Sequence, residues 1–558
     1  MADLTYAVLA LLPLVAWYLY SQFVHWRFNK YKYIPHLPQS LLLGNLKTFA
    51  DFYKMGDGRR HVDYVLKDMF KAAGNPPILF CDIRPVNYAM TCVASHDIAE
   101  QCTRATKLFP NSVPKSPTIQ GGLRRLIGAK SILSEEGESW KTLRKRFNIG
   151  FAPHHLLTLL PQILQKTSIF MSKLDSFAQS GAEFDMDPLT TNLTFDIIGA
   201  IVMNAEFNAQ GKESESSDIV KHFCRLITTF ADTGRVWIWL NIPVRIKREI
   251  AAYKVNAAIK CAIEQKFSEI KAAQSTATRS TKDRSVLALA LQDTDKLTPD
   301  ILQSTADQVK TFLFAGHDTT SVLLQRLFYA LSIHPNVLAS LRAEHDAIFG
   351  SADPQKIFLA KPDETMKSLT YTSACIKEAL RLWPPAGSAR RAPPGSGFSV
   401  RTEDGEDLCV DGTVIYLCQY LIQRDPKVYG ETANDFVPER WLGDTDTSAA
   451  NNVDAEVHKG EASRVPRSAW RPFERGPRNC IGQELANLEA RVILACVVRR
   501  YDFIKVGAGE VECDEKGVPM VDEKGVFRTK SELFSSMQVT SKPFDRCRMR
   551  IKMHEPEG

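Results

Sequence analysis

The pattern of apolar and polar positions begins with one long uncharged run. From Leu4 to Val24 the chain reads LTYAVLALLPLVAWYLYSQFV and carries no formal charge. Such a run is about long enough to cross a hydrocarbon core of roughly 30 Å. Aromatic residues close it and basic residues follow it, which places the downstream chain on the cytoplasmic side. We therefore expect residues 1–25 to form a transmembrane anchor.

A cleaved signal peptide is the alternative reading of that apolar run. Signal peptides carry positive charge before the apolar stretch and end at a small-residue cleavage site. Here the positive charges, Arg27, Lys30 and Lys32, follow the run, and no such site closes it. The sequence therefore favours a retained, single-pass anchor with its N-terminus in the lumen.

After the anchor, proline marks a change of character. Pro35 and Pro38 limit helix formation in residues 26–50, and we expect a hinge there. From about Asp187 to Arg381 apolar residues recur every three or four positions, which is typical of helices. This part of the chain is predicted to be predominantly α-helical, with helix boundaries near Pro243, Pro299 and Pro335.

Strand-like material is shorter and lies towards the C-terminus. Val400 to Leu417 alternates β-prone runs with glycines, and Gly517 to Arg528 is typical of a hairpin. The stretch from Gly443 to Ser463, rich in Asp, Asn, Ala and Ser, is predicted to be a surface insertion. We expect residues 51–558 to form one mainly α domain with small β-sheets.

Composition removes some classes of function. The net charge of +6 is the small difference between 70 basic and 64 acidic residues, so we expect no nucleic-acid partner. The 12 cysteines contain no CxxC pair. In a chain long enough to fold without disulfides, they are predicted to be reduced thiols in a cytosolic compartment.

The most informative stretch is FERGPRNCIG, from Phe473 to Gly482, before a segment that can begin a helix. Cys480 stands at this loop-to-helix junction, where backbone N–H groups and the helix dipole favour the iron-ligating thiolate. Gly476 and Gly482 leave room for a flat macrocycle, Phe473 can shield the sulfur, and Arg478 can pair with a propionate. Most other cysteines fit a small buried hydrophobe, but this context favours a metal ligand.

The stretch resembles the haem-binding loop of the cytochrome P450 family, Phe-x-x-Gly-x-Arg-x-Cys-x-Gly, with every fixed position filled. The resemblance implies a cytochrome P450 fold after the anchor. It also implies haem b with Cys480 as the axial ligand of the iron, where thiolate ligation promotes cleavage of the O–O bond. On this basis we expect a haem-thiolate monooxygenase.

A second motif is Glu378-Ala-Leu-Arg381, whose charged residues share one helix face. Alone it is weak, since such pairs are common on solvated helices. Leu-Trp-Pro-Pro follows it, and Pro-Glu-Arg440-Trp lies between it and the cysteine loop, in the order that the family shows. The resemblance implies a buried structural network of Glu378, Arg381 and Arg440.

A third motif, AGHDTT, interrupts an apolar helical run from Val309 to Leu331. A Thr hydroxyl can bond to the carbonyl four residues earlier and open the helix locally. A packing glycine beside a capped kink is the plainer alternative. The resemblance implies that Thr319 hydrogen-bonds dioxygen and that Asp318 relays protons to it, whereas His317 occupies a variable position without assigned chemistry.

The fourth motif is Trp140-x-x-x-Arg144, two donors on one helical face that suit carboxylates. The family uses this pair to bind haem propionates. The resemblance implies the same here, with a further contact from Arg390 or Arg391. Residues near the motifs are candidates for the substrate pocket, by proximity only: Phe314, Ala315, Ala386, Gly387 and Ser388.

Electrons must come from outside, because no GxGxxG motif follows a strand. The resemblance implies NADPH–cytochrome P450 reductase as the partner, at the endoplasmic reticulum membrane, with the catalytic domain facing the cytosol. A basic patch near the proximal motifs is a candidate docking surface, although a solvated helix face is as good an account: Lys141, Lys145, Arg146, Arg471 and Arg475.

Arg235 to Glu249 mixes tryptophans with basic residues and resembles a segment that lies on a membrane, although buried helix packing explains the tryptophans equally well. The motif GPRNCIGQELA is similar to fungal secondary-metabolism members of the family, which suggests a polyketide or terpenoid substrate. Two other functions stay open: a haem-thiolate isomerase or dehydratase, and a non-catalytic membrane haem-binding protein. The Asp318–Thr319 pair argues against the isomerase.

Overall fold

The computed structural model describes residues 2–231, 241–275, 283–443, 465–536 and 538–555. Its helices, in chain order, are α1 (Ala2–Val24), α2 (Leu46–Lys54), α3 (Val62–Ala72), α4 (His96–Thr103), α5 (Pro117–Ile127), α6 (Gly137–Asn148), α7 (Pro153–Leu157), α8 (Leu160–Ser180), α9 (Met186–Met203), α10 (Asp218–Ala231), α11 (Ile242–Ser275), α12 (Val286–Leu291), α13 (Pro299–Ile333), α14 (Pro335–Phe349), α15 (Pro354–Ala360), α16 (Pro362–Ser368), α17 (Thr370–Leu382), α18 (Gln419–Ile422), α19 (Pro426–Tyr429) and α20 (Gln483–Val497). Its strands are β1 (Ile78–Cys81), β2 (Met90–Val93), β3 (Phe184–Asp185), β4 (Ser388–Arg390), β5 (Ser399–Arg401), β6 (Asp407–Cys409), β7 (Val414–Leu417), β8 (Tyr501–Lys505) and β9 (Arg548–Met553).

The helix boundaries follow local chemistry. Thr298 caps α13 by accepting a hydrogen bond from the Ile301 amide, and Pro299 takes the first helical position, where no amide hydrogen is needed. Pro335 begins α14 and Pro243 lies in the first turn of α11, so the predicted boundaries are confirmed. The helix α13 is buried along most of its length and packs on α9 in the largest core cluster.

Three small sheets accompany the helices. The largest has the order β1-β2-β7-β4, with β2 and β7 parallel and the other pairs antiparallel, while β3-β9-β8 and β5-β6 form two more. The strands predicted within Val400–Leu417 are confirmed as β5, β6 and β7. The hairpin predicted at Gly517–Arg528 is present only as isolated antiparallel bridges around tight turns, in which Asp514 and Asp522 each accept a hydrogen bond from the amide four residues on.

The segment predicted as a hinge, residues 26–50, packs against the body of the protein. The buried Arg27 donates to the Leu41 carbonyl at 3.0 Å and pairs with Asp82 at 2.7 Å. Asn45 accepts a hydrogen bond from the Asp82 amide at 2.8 Å. These contacts fix the chain just beyond α1, although it lacks the proline-rich run common in the family.

Two predictions fall wholly or partly outside the described residues. The insertion from Gly443 to Ser463 lies there except for its first residue, and so do the tryptophans of the segment from Arg235 to Glu249. For the anchor, none of the helices in the described part of the chain is long and apolar enough to cross a membrane.

Candidate functional site

The loop before α20 holds Cys480 in a fixed geometry. The Cys480 amide donates to the Phe473 carbonyl at 2.9 Å, and the helix begins directly after Gly482. Gly476 has φ of +76°, and a β-carbon there would lie 2.0 Å from the Thr103 carbonyl oxygen. Glycine is therefore required at 476 by its backbone conformation and by contact with the protein's own backbone. A β-carbon at Gly482 would meet the Cys480 sulfur at 4.0 Å.

Cationic groups surround the thiol. Burial raises the pKa of Cys480, while the Gly482 amide and the charges of Arg144 and Lys115 oppose that rise. Arg144 comes from α6 and donates to both the backbone and the side-chain oxygen of Asn479, at 2.7 and 2.8 Å. Arg144, predicted to bind a haem propionate, thus also contacts the cysteine loop directly.

Two further cations, Arg390 and Lys115, make no ion pair with any described residue, although the charges of Glu474 and Glu136 act on both. Burial lowers the pKa of Arg390 to about 10, and within the described residues its buried Nε and Nη2 have no hydrogen-bond partner. Burial, followed by the charge of Arg390, lowers the pKa of Lys115 well below its usual range. Buried cations without partners are costly and call for an anionic ligand. The two propionates of haem b fit this requirement, beside a cysteine sulfur that can ligate iron.

The other residues predicted to contact haem also contact protein groups. Arg478 pairs with Glu136, donates to the Glu135 carbonyl at 3.0 Å, and lies 4.7 Å above the Trp140 ring. The ring of Phe473 packs on Trp470 at 6.0 Å. Arg478 and Trp140 therefore form one layer between α6 and the cysteine loop.

Arg391 lies elsewhere. Successive residues of a strand point to opposite faces, so Arg390, the last residue of β4, and Arg391 diverge. Arg391 stacks on the Tyr88 ring at 4.2 Å and donates to the Gly412 carbonyl at 3.4 Å. Of the two arginines, the structure brings only Arg390 near Lys115 and Arg478.

The Glu–Arg–Arg residues meet in the core. Arg381 makes a two-point contact with Glu378 at 2.8 and 2.9 Å, and Arg440 reaches the same carboxylate at 3.1 Å. Trp441 and the Val437 amide each donate to it at 2.9 Å. The remaining Arg381 donors reach three backbone carbonyls, those of Gln423, Ala433 and Asp435. Glu378 and Arg381 are fully buried, so the network holds α17 to residues 423–441.

On α13, the Thr319 hydroxyl donates to the Ala315 carbonyl at 2.7 Å, the local bond expected from the sequence. Asp318 is buried and receives a hydrogen bond from Thr540 at 2.6 Å and an ion pair from Lys542 at 3.0 Å. Burial alone would raise the pKa of Asp318, but Lys542, His317 and Thr540 lower it below its ordinary value. Asp318 is therefore an ionised carboxylate in a dry setting.

The other residues of the motif are structural. His317 is buried against the Phe195 ring at 4.7 Å and bonds the Leu313 carbonyl at 2.6 Å. Gly316 faces Ile198, whose side chain would lie 2.6 Å from an added β-carbon. Gly316 therefore has the packing role that the sequence left open. The local hydrogen bond of Thr319 is present as well.

The candidate pocket residues differ in exposure. Phe314 and Ser388 are buried, whereas Ala386 and Gly387 are exposed, and Gly387 faces the Tyr416 hydroxyl, 2.3 Å from an added β-carbon. Ala315 is half-buried on α13. A side chain at 387 would thus displace Tyr416.

Sequence reasoning missed Lys115, Glu136 and Lys542. None belongs to a recognisable spacing, because each reaches the site from a distant part of the chain. The interpretation of Arg471 as a surface charge was wrong: it is fully buried, paired with Glu474 at 2.6 Å and Glu100 at 2.8 Å.

Comparison with known proteins agrees with the geometry. A model of the cytochrome P450 family matches residues 49–528. The chain is 31% identical over 461 residues to cytochrome P450 monooxygenase acrF of Aspergillus aculeatus, covering 79% of this chain and 85% of that protein. It is 26% identical over 478 residues to cytochrome P450 monooxygenase polC of Polytolypa hystricis, covering 84% and 81%.

The fold has a close counterpart among solved structures. The crystal structure of the cytochrome P450DA heme domain superposes with a TM-score of 0.68 at 19% identity, covering 94% of this chain and 98% of that one. Haem b, with NADPH-derived electrons delivered through a reductase, is the cofactor system of the matched family. The chain therefore belongs to the cytochrome P450 family and is a cytochrome P450 monooxygenase.

Proposed function

We propose that the protein inserts one oxygen atom from dioxygen into a lipophilic small molecule, a polyketide or terpenoid secondary metabolite. The observation that carries this proposal is the buried carboxylate of Asp318, paired with Lys542 beside Thr319 on α13. A haem carrier or an isomerase has no need of a proton-relaying carboxylate at this place. The fungal origin of two relatives, acrF and polC, supports the substrate class.

The bound haem supplies the activation of dioxygen, and the chain supplies ligation, charge balance and protons. Cys480 would provide the sulfur ligand, and Lys115 and Arg390 would neutralise the propionates. Asp318 takes protons from solvent and passes them towards Thr319, as a positioned acid can do directly or through water. For each proton transfer, the Asp318 carboxylate must separate from the Lys542 ammonium group.

We expect turnover to need dioxygen, NADPH and a reductase together. The test incubates the haem-loaded protein with reductase, NADPH and isotopically labelled dioxygen over a panel of polyketides and terpenoids, and detects products by mass spectrometry. The product should gain one labelled oxygen atom. A product formed without dioxygen would instead identify an isomerase or dehydratase.

Replacing Asp318 by asparagine should lower kcat of that reaction by about 10²- to 10⁴-fold, the usual contribution of a positioned acid. The solvent deuterium isotope effect on kcat should rise, because proton delivery becomes slower than the other steps. Thr540→Val is the matched control, since it removes one hydrogen bond to Asp318 and leaves the charge, and it should keep kcat within about tenfold. Unchanged kcat and isotope effect in the asparagine variant would contradict the relay.

We also propose that the reductase docks near α6. Lys141 and Lys145 are exposed there, although Lys141 also pairs with Glu138 at 2.6 Å. Arg146 is held inward, since it donates to the Ala290 carbonyl at 2.8 Å. The docking charge therefore rests on the two lysines, with the half-buried Arg475 beside the cysteine loop.

Reversing Lys141 and Lys145 to glutamate should slow reduction of the haem by the reductase about tenfold at low ionic strength, because charge complementarity governs encounter. The difference should shrink at high salt, as screening predicts. Lys361→Glu, just before α16, with Lys367→Glu on that helix changes the same charge and should have little effect. A slowing that is independent of salt would contradict the docking proposal. Stopped-flow absorbance provides the rates.

The membrane assignment is part of the same proposal. We place the protein at the endoplasmic reticulum membrane, attached through α1 as a single-pass anchor, with residues 51–558 as one catalytic domain in the cytosol. The uncharged run from Leu4 to Val24 supports it. So do the exposed apolar side chains of α1, such as Leu14 at 65% and Trp17 at 69%.

A further inference from the structure

A pocket of about 460 Å³ lies at the junction between α1 and the catalytic domain. Four separate parts of the chain line it: residues 26–31 just after α1, residues 84–89 between β1 and β2, residues 391–394, and Gly412. It is distinct from the Cys480 site, because Arg391 diverges from Arg390 on the far side of β4.

The walls of this pocket carry excess positive charge. Arg84 lines the pocket and shares the Asp82 carboxylate, at 2.6 Å, with the buried Arg27, at 2.7 Å, so the two arginines carry one charge more than Asp82 compensates. Lys30 and Arg391 make no ion pair with any described residue, and each stacks instead on an aromatic ring. Lys30 lies 4.3 Å from the centre of the Trp26 ring, and Arg391 lies 4.2 Å from that of Tyr88.

A second acidic residue, Asp411, does not cancel this charge. Asp411 lies close enough to influence the Tyr31 hydroxyl, but its Oδ2 accepts hydrogen bonds from the Gly395 and Gly397 amides at 2.9 and 3.2 Å. Even if Asp411 contributes its full negative charge, the positive charge is larger. It comes from Lys30, Arg391 and the uncompensated charge of the arginine pair. The pocket therefore favours an anion.

The rim of the pocket is apolar. Trp26, Val86 and Tyr88 are 48%, 47% and 40% exposed, and the apolar helix α1 ends beside them. Arginine and lysine donors over aromatic faces suit a phosphate group, and Trp and Tyr suit the level of lipid headgroups. A cationic pocket with an apolar rim thus matches a ligand that joins an anionic phosphate to hydrocarbon chains.

We propose that this pocket binds the phosphate of an anionic phospholipid headgroup through Lys30 and Arg391, and so fixes the catalytic domain against the membrane. The proposal depends on the proposed attachment through α1 in one respect: the choice of a membrane lipid as the source of the phosphate. Free phosphate shares the charge but not the hydrocarbon chains, and the experiment separates the two.

The test titrates the full-length, haem-loaded protein with dihexanoyl phosphatidic acid, kept below its micelle concentration, in a calorimeter. Because the lipid is then monomeric, its binding measures the affinity of the pocket and not attraction to a charged lipid surface. Lys30→Gln with Arg391→Gln should weaken binding by about tenfold for each cation removed. The control, Lys32→Gln with Lys47→Gln, removes the same charge from exposed lysines outside the pocket and should keep the wild-type affinity.

Each further outcome decides the proposal. Dihexanoyl phosphatidylcholine should bind more weakly than phosphatidic acid, and inorganic phosphate more weakly still. Equal binding of inorganic phosphate would identify a soluble-phosphate site and overturn the lipid assignment, and so would equal losses in the two double variants. Val15→Asp with Leu19→Asp in α1 should reduce flotation with vesicles and leave the short-chain lipid affinity unchanged, so failure of the anchor and failure of the pocket are distinguishable.

Discussion

Replacing Cys480 by alanine is expected to abolish the red-shifted Soret band of the reduced carbon monoxide complex, together with all monooxygenase turnover. Cys480 supplies the thiolate donor of the loop before α20, because the Glu474 carboxylate is paired with Arg471 and the Asn479 side-chain oxygen accepts a hydrogen bond from Arg144. The measurement is the reduced-plus-carbon-monoxide difference spectrum of purified protein, with haem content determined in parallel. Retention of the thiolate band in the alanine variant would exclude Cys480 as the ligand.

A matched cysteine separates this effect from a general loss of packing. Cys496 is buried on α20, the helix that follows the Cys480 loop, and burial raises the pKa of its thiol to about 12, so it is an inert core group. Cys496→Ala should cost some stability, as small core truncations do. It should leave the thiolate band and the turnover in place.

The sequence predicts the parts of the site that depend on local spacing. Cys480 stands before a helix start, Thr319 bonds the carbonyl four residues earlier, and Glu378 lies three residues from Arg381 on one helix. Each relation lies within a single turn or loop, where the periodicity of the chain decides which residues meet. The family resemblance then places Arg440 with Glu378, which helical periodicity alone cannot do.

Relations between distant segments are harder to predict. Lys542 reaches Asp318 from the C-terminal region, and Lys115 reaches the cysteine loop from the segment before α5. To choose between Arg390 and Arg391, one must know on which face of β4 each side chain lies, since neighbouring residues of a strand point in opposite directions. Arg471 has the sequence context of a surface charge, yet Glu100 on α4 helps to draw it into the core.

The basic groups near Cys480 explain why the site accepts haem and not a neutral macrocycle. Arg390 and Lys115 have pKa values lowered by burial, so in the protein alone their charged forms are disfavoured. Two propionates would supply the missing negative charge and stabilise both cations. Cofactor binding is thereby linked to stability, because a ligand that binds only the folded state shifts the folding equilibrium towards it.

Glu378→Gln should destabilise the protein by about 3–5 kcal/mol, the usual result of removing one partner of a buried ion pair. The glutamine keeps the shape of the side chain but leaves Arg381 and Arg440 without their shared carboxylate. Arg381 cannot reach solvent, since it is fully buried and its remaining donors are held by backbone carbonyls. The measurement is the free energy of unfolding in urea, followed by the haem absorbance.

Two comparisons make this result specific to the network. Glu439→Gln changes an exposed carboxylate next to Arg440 that accepts a hydrogen bond from Tyr371, and it should cost no more than about 1 kcal/mol. The double replacement Glu378→Gln with Arg440→Gln should cost less than the sum of the single changes, because residues in one network are coupled. Additive losses would mean that Arg440 does not depend on Glu378. A loss below about 1 kcal/mol in Glu378→Gln would mean that hydrogen bonding alone, without the charge, holds α17 to residues 423–441.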